Sequence, residues 1–292
     1  MQDILIDTDI GDDIDDALAI GFALNCPEVN VRAITTVYGD TDTRAKLVIK
    51  LLTTFGREDI PVGVGIKKPL FGREVIKPIN QAVILDKKEV LPAPSKENAV
   101  DLIISQAIKC KNPIIVSIGP LTNVAIALTK EPDLVKKAKL VMMGGVVNAQ
   151  WAEYNISRDP EAARIVFESG IKIVMVGLDV TMKCQLGQEE LDNLSDRGLP
   201  STKLLMEMIK AWQESTGVIY PILHDPLAIA VSFDQALVKM EPRQVNVETR
   251  GEFTRGFTIA LKSKTPNAQV CLDVNVNKFI DLFMKRILRF EP

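Results

Sequence analysis

This chain contains little histidine and no closely spaced pair of cysteines. A single histidine, His224, occurs in 292 residues, and the four cysteines lie far apart. This pattern argues against a zinc site or a disulfide framework and is typical of a reducing cytoplasm, which we expect as the location. No apolar run reaches the roughly 18 residues that a membrane-spanning helix needs, and the first residues show no signal-peptide pattern, so we expect no membrane association.

Long runs of basic residues are also missing. The net charge is −3, from 35 lysines and arginines against 38 aspartates and glutamates. This balance argues against nucleic acids as the main partner. Hydrophobic residues make up 47% of the chain and charged residues 25%, which is typical of a globular protein. The length allows one large domain or two, and without repeats or an obvious linker we predict a single domain over residues 1–292.

Short β-branched segments alternate with helical patterns along most of the chain. Candidate strands lie at Ile4–Asp7, Val29–Thr36, Pro61–Gly65, Pro113–Ile118, Leu140–Met143 and Ile171–Val176. This alternation predicts an α/β fold with an open, mostly parallel sheet and helices on both faces. Three more candidate strands, at Gln244–Val247, Gly256–Leu261 and Val270–Val274, predict an antiparallel edge or a hairpin, and a closing helix is predicted at Lys278–Arg289.

Polar segments follow several of the predicted strands directly. They are DTDIGDDIDD (residues 7–16), VYGD (37–40), GPLTN (119–123) and GGVVNAQWAEYN (144–155). In an open parallel sheet, ligands bind beyond the carboxyl ends of the strands, so we expect these four segments to lie along one rim. A fifth segment, His224–Pro226, is predicted to lie in a polar break between two helical patterns.

The first of these segments carries six aspartates in ten residues and no basic side chain. Two carboxylates about 4 Å apart repel by roughly 4 kcal/mol at an effective dielectric near 20, so the cluster needs a cation or protons. Helix capping explains one or two of the aspartates but hardly six. Because no histidine or cysteine cluster accompanies them, the sequence predicts a hard cation, Ca²⁺ or Mg²⁺, with oxygen ligands.

The remaining candidate residues are individually less specific. His224 is the only side chain whose unperturbed pKa suits proton transfer near neutrality, although a lone histidine is more often structural. Asn148, Glu153 and Asn155 suit the recognition of sugar hydroxyls, and a turn uses the same residue types. Thr122 either caps a helix or presents its main-chain carbonyl to a cation. Trp212 is either a packing aromatic or the face for a planar ligand.

Taken together, the motifs resemble those of the inosine/uridine-preferring nucleoside hydrolase family. The pattern comprises DTDIG followed by Asp-Asp-Ala, then ITTVYG, GPLTN, an E-x-N segment before DPEAA, and a late His-Asp-Pro, in the family's order from residue 4 to about residue 230. The resemblance implies an open, Rossmann-like α/β sheet and Ca²⁺-dependent hydrolysis of the N-glycosidic bond of a ribonucleoside to base and ribose. It also implies a homodimer or a homotetramer.

The resemblance assigns a role to each matching residue. It implies Ca²⁺ ligands at the carboxylates of Asp9, Asp16 and Asp225 and at the main-chain carbonyl of Thr122. Asp9 is also the implied general base, and His224 matches the histidine proposed, in part of the family, to protonate the departing base. The implied ribose-binding residues are Asp15, Asn148, Glu153, Asn155 and Asp40, the last standing where the family has an asparagine.

Some questions stay open from the sequence alone. Two residues more than in the family's short form separate Gly11 from Asp15, which leaves the roles of Asp12 and Asp13 undecided. The preference for purine or pyrimidine bases is also undecided. Two other functions remain as alternatives: a non-catalytic nucleoside-binding protein, and a haloacid-dehalogenase-like phosphatase in which Asp7 is the phosphoryl nucleophile and Mg²⁺ the metal.

Overall fold

The computed structural model describes residues 1–73, 77–86 and 88–289. The strands are β1 (Gln2–Thr8), β2 (Val29–Thr36), β3 (Val62–Gly63), β4 (Ile114–Ser117), β5 (Lys139–Met143), β6 (Lys172–Val176), β7 (Val238–Val247), β8 (Thr258–Leu261) and β9 (Ala268–Val274). The α-helices are α1 (Asp15–Asn25), α2 (Thr41–Thr54), α3 (Ala99–Lys109), α4 (Thr122–Lys130), α5 (Leu134–Lys137), α6 (Tyr154–Arg158), α7 (Pro160–Glu168), α8 (Leu178–Thr181), α9 (Gln188–Arg197), α10 (Pro200–Thr216), α11 (His224–Phe233) and α12 (Val276–Ile287). Short 3₁₀ helices occur at Asn80–Ile84 and Gln235–Leu237.

Within the described part of the chain, the nine strands form one sheet in the order β3-β2-β1-β4-β5-β6-β9-β7-β8. All pairs from β3 through β9 are parallel, whereas β7 runs antiparallel to both β9 and β8. The predicted α/β fold with an antiparallel edge is therefore confirmed. The strand order reverses between β1 and β4, and such a switch point opens a crevice at the carboxyl ends of the two strands.

Helices cover both faces of the sheet, and each face has its own hydrophobic cluster. One cluster joins α1, α2, α10, α11 and α12 to the sheet, and the other joins α3, α4 and α7 to its opposite face. In β1, Ile4 and Ile6 belong to the first cluster and Leu5 to the second, as the alternation of side chains along a strand requires. Because β1 is buried on both faces, its polar carboxyl end is held in a fixed place.

The strand β7 begins earlier than the sequence predicts. We predicted a strand at Gln244–Val247, and the structure extends it back to Val238 and through Pro242. The added half of β7, residues 238–243, pairs only with β9, because β8 pairs only with residues 244–247. One side of the added half is therefore an open edge, where a proline without an N–H group is tolerated.

The His-Asp-Pro segment was predicted to lie in a polar break, but it begins a helix. His224 is the first residue of α11, and Asp225 lies in its first turn. Pro226 is compatible with this position because the first N–H groups of a helix have no partner within the helix. Along the described residues, no helix has the length and apolar character needed to cross a membrane.

Candidate active site

A cavity of about 380 Å³ opens at the carboxyl ends of β1 and β4. Seven carboxylates line it, those of Asp9, Asp12, Asp13, Asp15, Asp16, Glu153 and Asp225. Another part of the wall is formed by Ile118, Met143 and Asn155. An apolar and aromatic part is formed by Leu178, Trp212, Thr216 and His224. A strongly acidic pocket with an aromatic wall suits a cation together with a polar, ring-containing ligand.

The start of α1 brings two of the aspartates into the cavity. After β1 the chain turns at Gly11, whose φ of +123° and close neighbours Ile79 and Leu47 leave no room for a side chain. The N-cap of α1 is Ile14, and no side chain caps the helix. Asp15 and Asp16 occupy the first turn, where the helix dipole favours negative charge. Capping therefore does not account for these aspartates.

Three carboxylates lie close enough together to share a cation. Ligand oxygens of Asp15, Asp16 and Asp225 all lie within 4.8 Å of one another, and all three side chains are buried. Thr8 donates a hydrogen bond to Asp16, and Asp15 is hydrogen-bonded to Asp225. Burial, with mutual repulsion adding to it, raises the pKa of all three carboxyls well above the usual range. A buried, oxygen-only group of acids fits a hard cation.

Asp9 faces the same cavity but lies outside this close group. Its carboxyl is buried, and burial raises its pKa to about 7, while Arg44 acts in the opposite direction. The negative charge of Asp9 also raises the pKa of Asp15, Asp16 and Asp225. The structure thus places Asp15 with the two acids predicted as ligands, and Asp9 beside them.

Ile118 lines the cavity, whereas Thr122, whose carbonyl the sequence pointed to, does not. Strand β4 ends at Ser117, so Ile118 is the residue at the switch point and lines the cavity. Thr122 lies further on, at the start of α4, where its buried hydroxyl donates to Asp159 Oδ2 over 2.6 Å. Thr122 is not among the residues that line the cavity. Thr122 lies away from the cavity because the chain turns through Gly119 and Pro120 between the end of β4 and the start of α4.

Glu153 and Asn155 are held in place by the main chain. The Glu153 carboxylate caps α6 and accepts hydrogen bonds from the N–H groups of Gly145, Asn155 and Ile156 at 2.8–3.1 Å. Asn155 donates from Nδ2 to the carbonyls of Ile118, at 3.3 Å, and Met143, at 3.1 Å. The Asn155 side-chain oxygen is therefore left to accept a hydrogen bond from a ligand. Both residues are pre-organised, which lowers the entropy lost on binding.

His224 presents a neutral imidazole to the cavity. Burial lowers the pKa of His224 to about 4. Its Nδ1 lies 2.7 Å from the hydroxyl oxygen of Thr181 in α8, so the Nε2 side of the ring is the one available to a ligand. Near neutral pH the ring is uncharged in the ligand-free protein, and it acts there as a hydrogen-bonding group rather than as an imidazolium.

Two predicted ribose-binding residues lie outside the cavity. The Asp40 side chain is exposed and caps α2, accepting hydrogen bonds from the N–H, at 3.2 Å, and the hydroxyl, at 2.6 Å, of Thr43. Asn148 is exposed as well, and its main-chain N–H donates to Asp179 Oδ1 over 2.9 Å. Neither residue is among those that line the cavity. Asp40 stabilises the start of α2, which begins directly after it.

Sequence reasoning missed Arg44, which lies beneath the acidic segment. Arg44 is in α2, on the same face as the buried Leu47 and Val48, three and four residues further on. An arginine on the apolar face of a predicted helix is the signal that identifies a buried cation. Ile118 left no comparable signal because its place at the cavity depends on where β4 ends and not on its side-chain type.

The profile described as "Inosine-uridine preferring nucleoside hydrolase" matches residues 4–281. The chain belongs to this family. Accordingly, this nucleoside hydrolase is an enzyme that acts on N-glycosyl compounds, as its sequence motifs predicted. It is 39% identical over 306 aligned positions to the pyrimidine-specific ribonucleoside hydrolase RihA of Escherichia coli O81, with 97% of each chain covered. It is 38% identical to the RihA protein of Salmonella paratyphi C, with the same coverage.

Solved structures of nucleoside hydrolases have the same fold. A purine-preferring ribonucleoside hydrolase from Gardnerella vaginalis matches with a TM-score of 0.86 and 31% identity, over 98% of both chains. A plant nucleoside hydrolase matches with a TM-score of 0.89 and 28% identity, over 99% of both chains. These relatives are named for different bases, so the family assignment does not fix which base this hydrolase prefers.

Proposed function

We propose that this hydrolase cleaves the N-glycosidic bond of ribonucleosides to free base and ribose in a Ca²⁺-dependent reaction. The observation that carries the proposal is the buried group of Asp15, Asp16 and Asp225 at the switch point, with ligand oxygens within 4.8 Å of one another. Buried carboxylates at this spacing need protons or a cation, and the donor set consists only of oxygen. Glu153 and Asn155 line the same cavity and supply groups for sugar hydroxyls.

In this proposal the carboxylates of Asp9, Asp16 and Asp225 hold the cation, and the carbonyl of Ile118 replaces that of Thr122 as the main-chain ligand. In the cation-free protein, Asp15 and Asp225 are joined by a hydrogen bond, which requires a proton. A bound cation would displace such a proton, which would leave the Asp15 carboxylate available for the ribose diol. Held by these residues, Ca²⁺ would supply the positive charge that lowers the pKa of the attacking water.

The chain's own residues supply the rest of the mechanism. Asp9 accepts the proton of the attacking water, since its carboxylate faces the cavity beside the group of acids that holds the cation. Asp15, Glu153 and Asn155 bind the ribose hydroxyls and fix the position of the sugar. Positive charge develops on the ribose in the oxocarbenium-like transition state, and the surrounding carboxylates stabilise it.

The apolar part of the wall receives the base. Trp212 offers an aromatic face, and the neutral His224 ring offers its Nε2 atom for a hydrogen bond to the departing base. A hydrogen bond to the leaving group stabilises the charge that the base acquires as the bond breaks.

We also infer from the family resemblance that the enzyme is a homodimer or a homotetramer, which analytical ultracentrifugation tests directly.

The decisive experiment measures ribose release from inosine, adenosine, uridine and cytidine, with and without removal of Ca²⁺ by a chelator. We expect release from at least one nucleoside, loss of release on chelation and recovery when Ca²⁺ is restored. Nucleoside binding without any ribose release contradicts the proposal and favours a binding protein. Phosphate release from a phosphorylated substrate, without ribose release, favours the phosphatase alternative.

A further inference from the structure

Arg44 is a buried cation whose hydrogen bonds hold the acidic segment. Only 3% of its side chain is exposed. Its Nη1 atom donates to the carbonyls of Asp9 and of Ile10, the latter at 2.7 Å. Its Nη2 atom lies 3.0 Å from Asp12 Oδ2, and its Nε donates to the Tyr38 carbonyl over 2.7 Å. One planar group thus joins the segment after β1 to the segment after β2.

These contacts fix the main chain at Asp9. Because the carbonyls of Asp9 and Ile10 are both bound to the same nitrogen, the peptide plane between the two residues cannot rotate freely. The Asp9 side chain therefore extends from a main-chain segment that is held in place. The guanidinium also acts electrostatically on the carboxylates of Asp9 and Asp16, and its charge offsets part of their repulsion.

The 3₁₀ helix at Asn80–Ile84 holds the same segment through separate contacts. The main-chain N–H of Gln81 donates to the Gly11 carbonyl over 3.0 Å, and its side-chain amide donates to the Asp13 carbonyl over 2.5 Å. Gln81 is fully buried. The residues between β1 and α1 are therefore bound to the protein at carbonyls 9, 10, 11 and 13.

We propose that Arg44 is the positioning residue of the cation site, and that Asp12 orients the Arg44 guanidinium instead of binding the cation. This inference rests on the proposed function, because it requires that Asp9, Asp16 and Asp225 hold Ca²⁺. It gives Asp12 a role that the family resemblance leaves undecided. Burying an ion pair is a poor way to gain stability, since apolar replacements of similar volume are often neutral or stabilising. A positioning role explains why a charge is placed here.

The test measures Ca²⁺ binding to the cation-free full-length protein by titration calorimetry with Ca²⁺ alone. We expect Arg44→Met to weaken Ca²⁺ binding by about tenfold or more, the effect that removal of groups orienting metal ligands typically has. Arg44→Lys keeps the charge, but a point-like ammonium cannot reach four acceptors in a planar arrangement. Its affinity is therefore expected to stay closer to that of Arg44→Met than to that of the wild type.

A matched control separates positioning from simple loss of stability. Arg286→Met removes another arginine ion pair, with Glu28, at the opposite end of β2 from the cavity. We expect it to lower the melting temperature of the cation-free protein and to leave Ca²⁺ affinity unchanged. If the Arg44 and Arg286 variants show the same ratio of affinity loss to melting-temperature loss, Arg44 has only a structural role and the inference fails.

Asp12 is tested by comparing Asp12→Asn with Asp16→Asn. We expect Asp16→Asn to weaken Ca²⁺ binding strongly, and Asp12→Asn to weaken it much less, because an amide oxygen still accepts the hydrogen bond from Arg44. Equal losses in the two variants overturn the assignment of Asp12. Wild-type protein that neither binds Ca²⁺ nor releases ribose contradicts the proposed function itself. Wild-type binding retained in Arg44→Met and Arg44→Lys contradicts only the positioning role.

Discussion

Different neighbours give chemically identical, buried side chains different properties in this cavity. Asp9, Asp15 and Asp16 are separated by a few residues in sequence, but each has different partners: Arg44 acts on Asp9, Asp225 bonds to Asp15, and Thr8 bonds to Asp16. Glu153 is bound by three main-chain N–H groups, which partly offset the rise in its pKa that burial causes. Neighbours, more than residue type, therefore decide which acid can lose a proton, bind a cation or accept a sugar hydroxyl.

The first prediction at this scale concerns the general base. We expect Asp9→Asn, assayed at saturating Ca²⁺ and saturating nucleoside, to lower kcat by at least about a hundredfold, because a positioned base contributes a factor of roughly 10²–10⁴. The amide keeps the size and one acceptor oxygen of the side chain but cannot take a proton. Asp40→Asn is the control, since Asp40 lies outside the cavity. A kcat near the wild-type value in Asp9→Asn removes Asp9 from the mechanism.

The second prediction concerns His224. Because burial lowers the pKa of His224 to about 4, its ring is already neutral well below pH 6. We expect kcat to show no decline that follows a group titrating near 6.5, the usual value for histidine. We also expect His224→Ala to slow the hydrolysis of inosine and uridine more than that of p-nitrophenyl ribofuranoside, whose leaving group needs no hydrogen bond. A limb of the pH profile near 6.5 that disappears in His224→Ala contradicts this account.

At the scale of secondary-structure elements, what could be predicted from sequence depends on how local the signal is. Alternating apolar strands and periodic helices are local patterns, so the α/β fold and the placement of the acidic segment after β1 followed from the sequence. The early start of β7 did not, because Pro242 is tolerated only where one side of the strand is an open edge, and that depends on which strands pair with it. The role that we propose for the Ile118 carbonyl could not be predicted, because any residue type supplies a carbonyl. The prediction of a single domain stays a prediction.

The third prediction concerns the nucleoside base and the residues of helix α10 that line the cavity. Trp212 and Thr216 are four residues apart, so they lie on one face of this helix, and both line the cavity. Stacking of a base on an aromatic side chain contributes about 1–3 kcal/mol. We therefore expect Trp212→Ala to raise KM for nucleosides by roughly fivefold to a hundredfold, with a smaller effect on kcat.

Trp212→Phe is the matched variant, because it keeps an aromatic face and most of the buried volume. We expect its KM to lie near the wild-type value, while its melting temperature reports any loss of packing. Steady-state kinetics with one purine and one pyrimidine nucleoside measures both variants. If Trp212→Ala leaves KM unchanged for both nucleosides, Trp212 is a packing residue and does not contact the base.

At the scale of the whole molecule, we expect the acidic site to couple cation binding to folding. One apolar cluster holds β1, α1 and α11 together, so the carboxylates of Asp9, Asp15, Asp16 and Asp225 cannot easily move apart to reduce their repulsion. Repulsion that cannot be relieved by movement has to be relieved by protons or by a cation. The stability of the folded chain should therefore depend on both pH and Ca²⁺ concentration.

The sign of this dependence follows from the raised pKa values. Burial raises the pKa of both Asp7 and Asp9 from 3.8 to about 7. The folded state thus binds protons more tightly than the unfolded state, so this contribution to stability is full below about pH 4 and is lost as the pH rises through about 7. We expect the melting temperature of the cation-free protein to fall between about pH 5 and about pH 8. Saturating Ca²⁺, which binds ionised carboxylates, should reduce or reverse that fall, as differential scanning fluorimetry can measure. An identical slope of melting temperature against pH with and without Ca²⁺ would show that these carboxylates do not bind the cation.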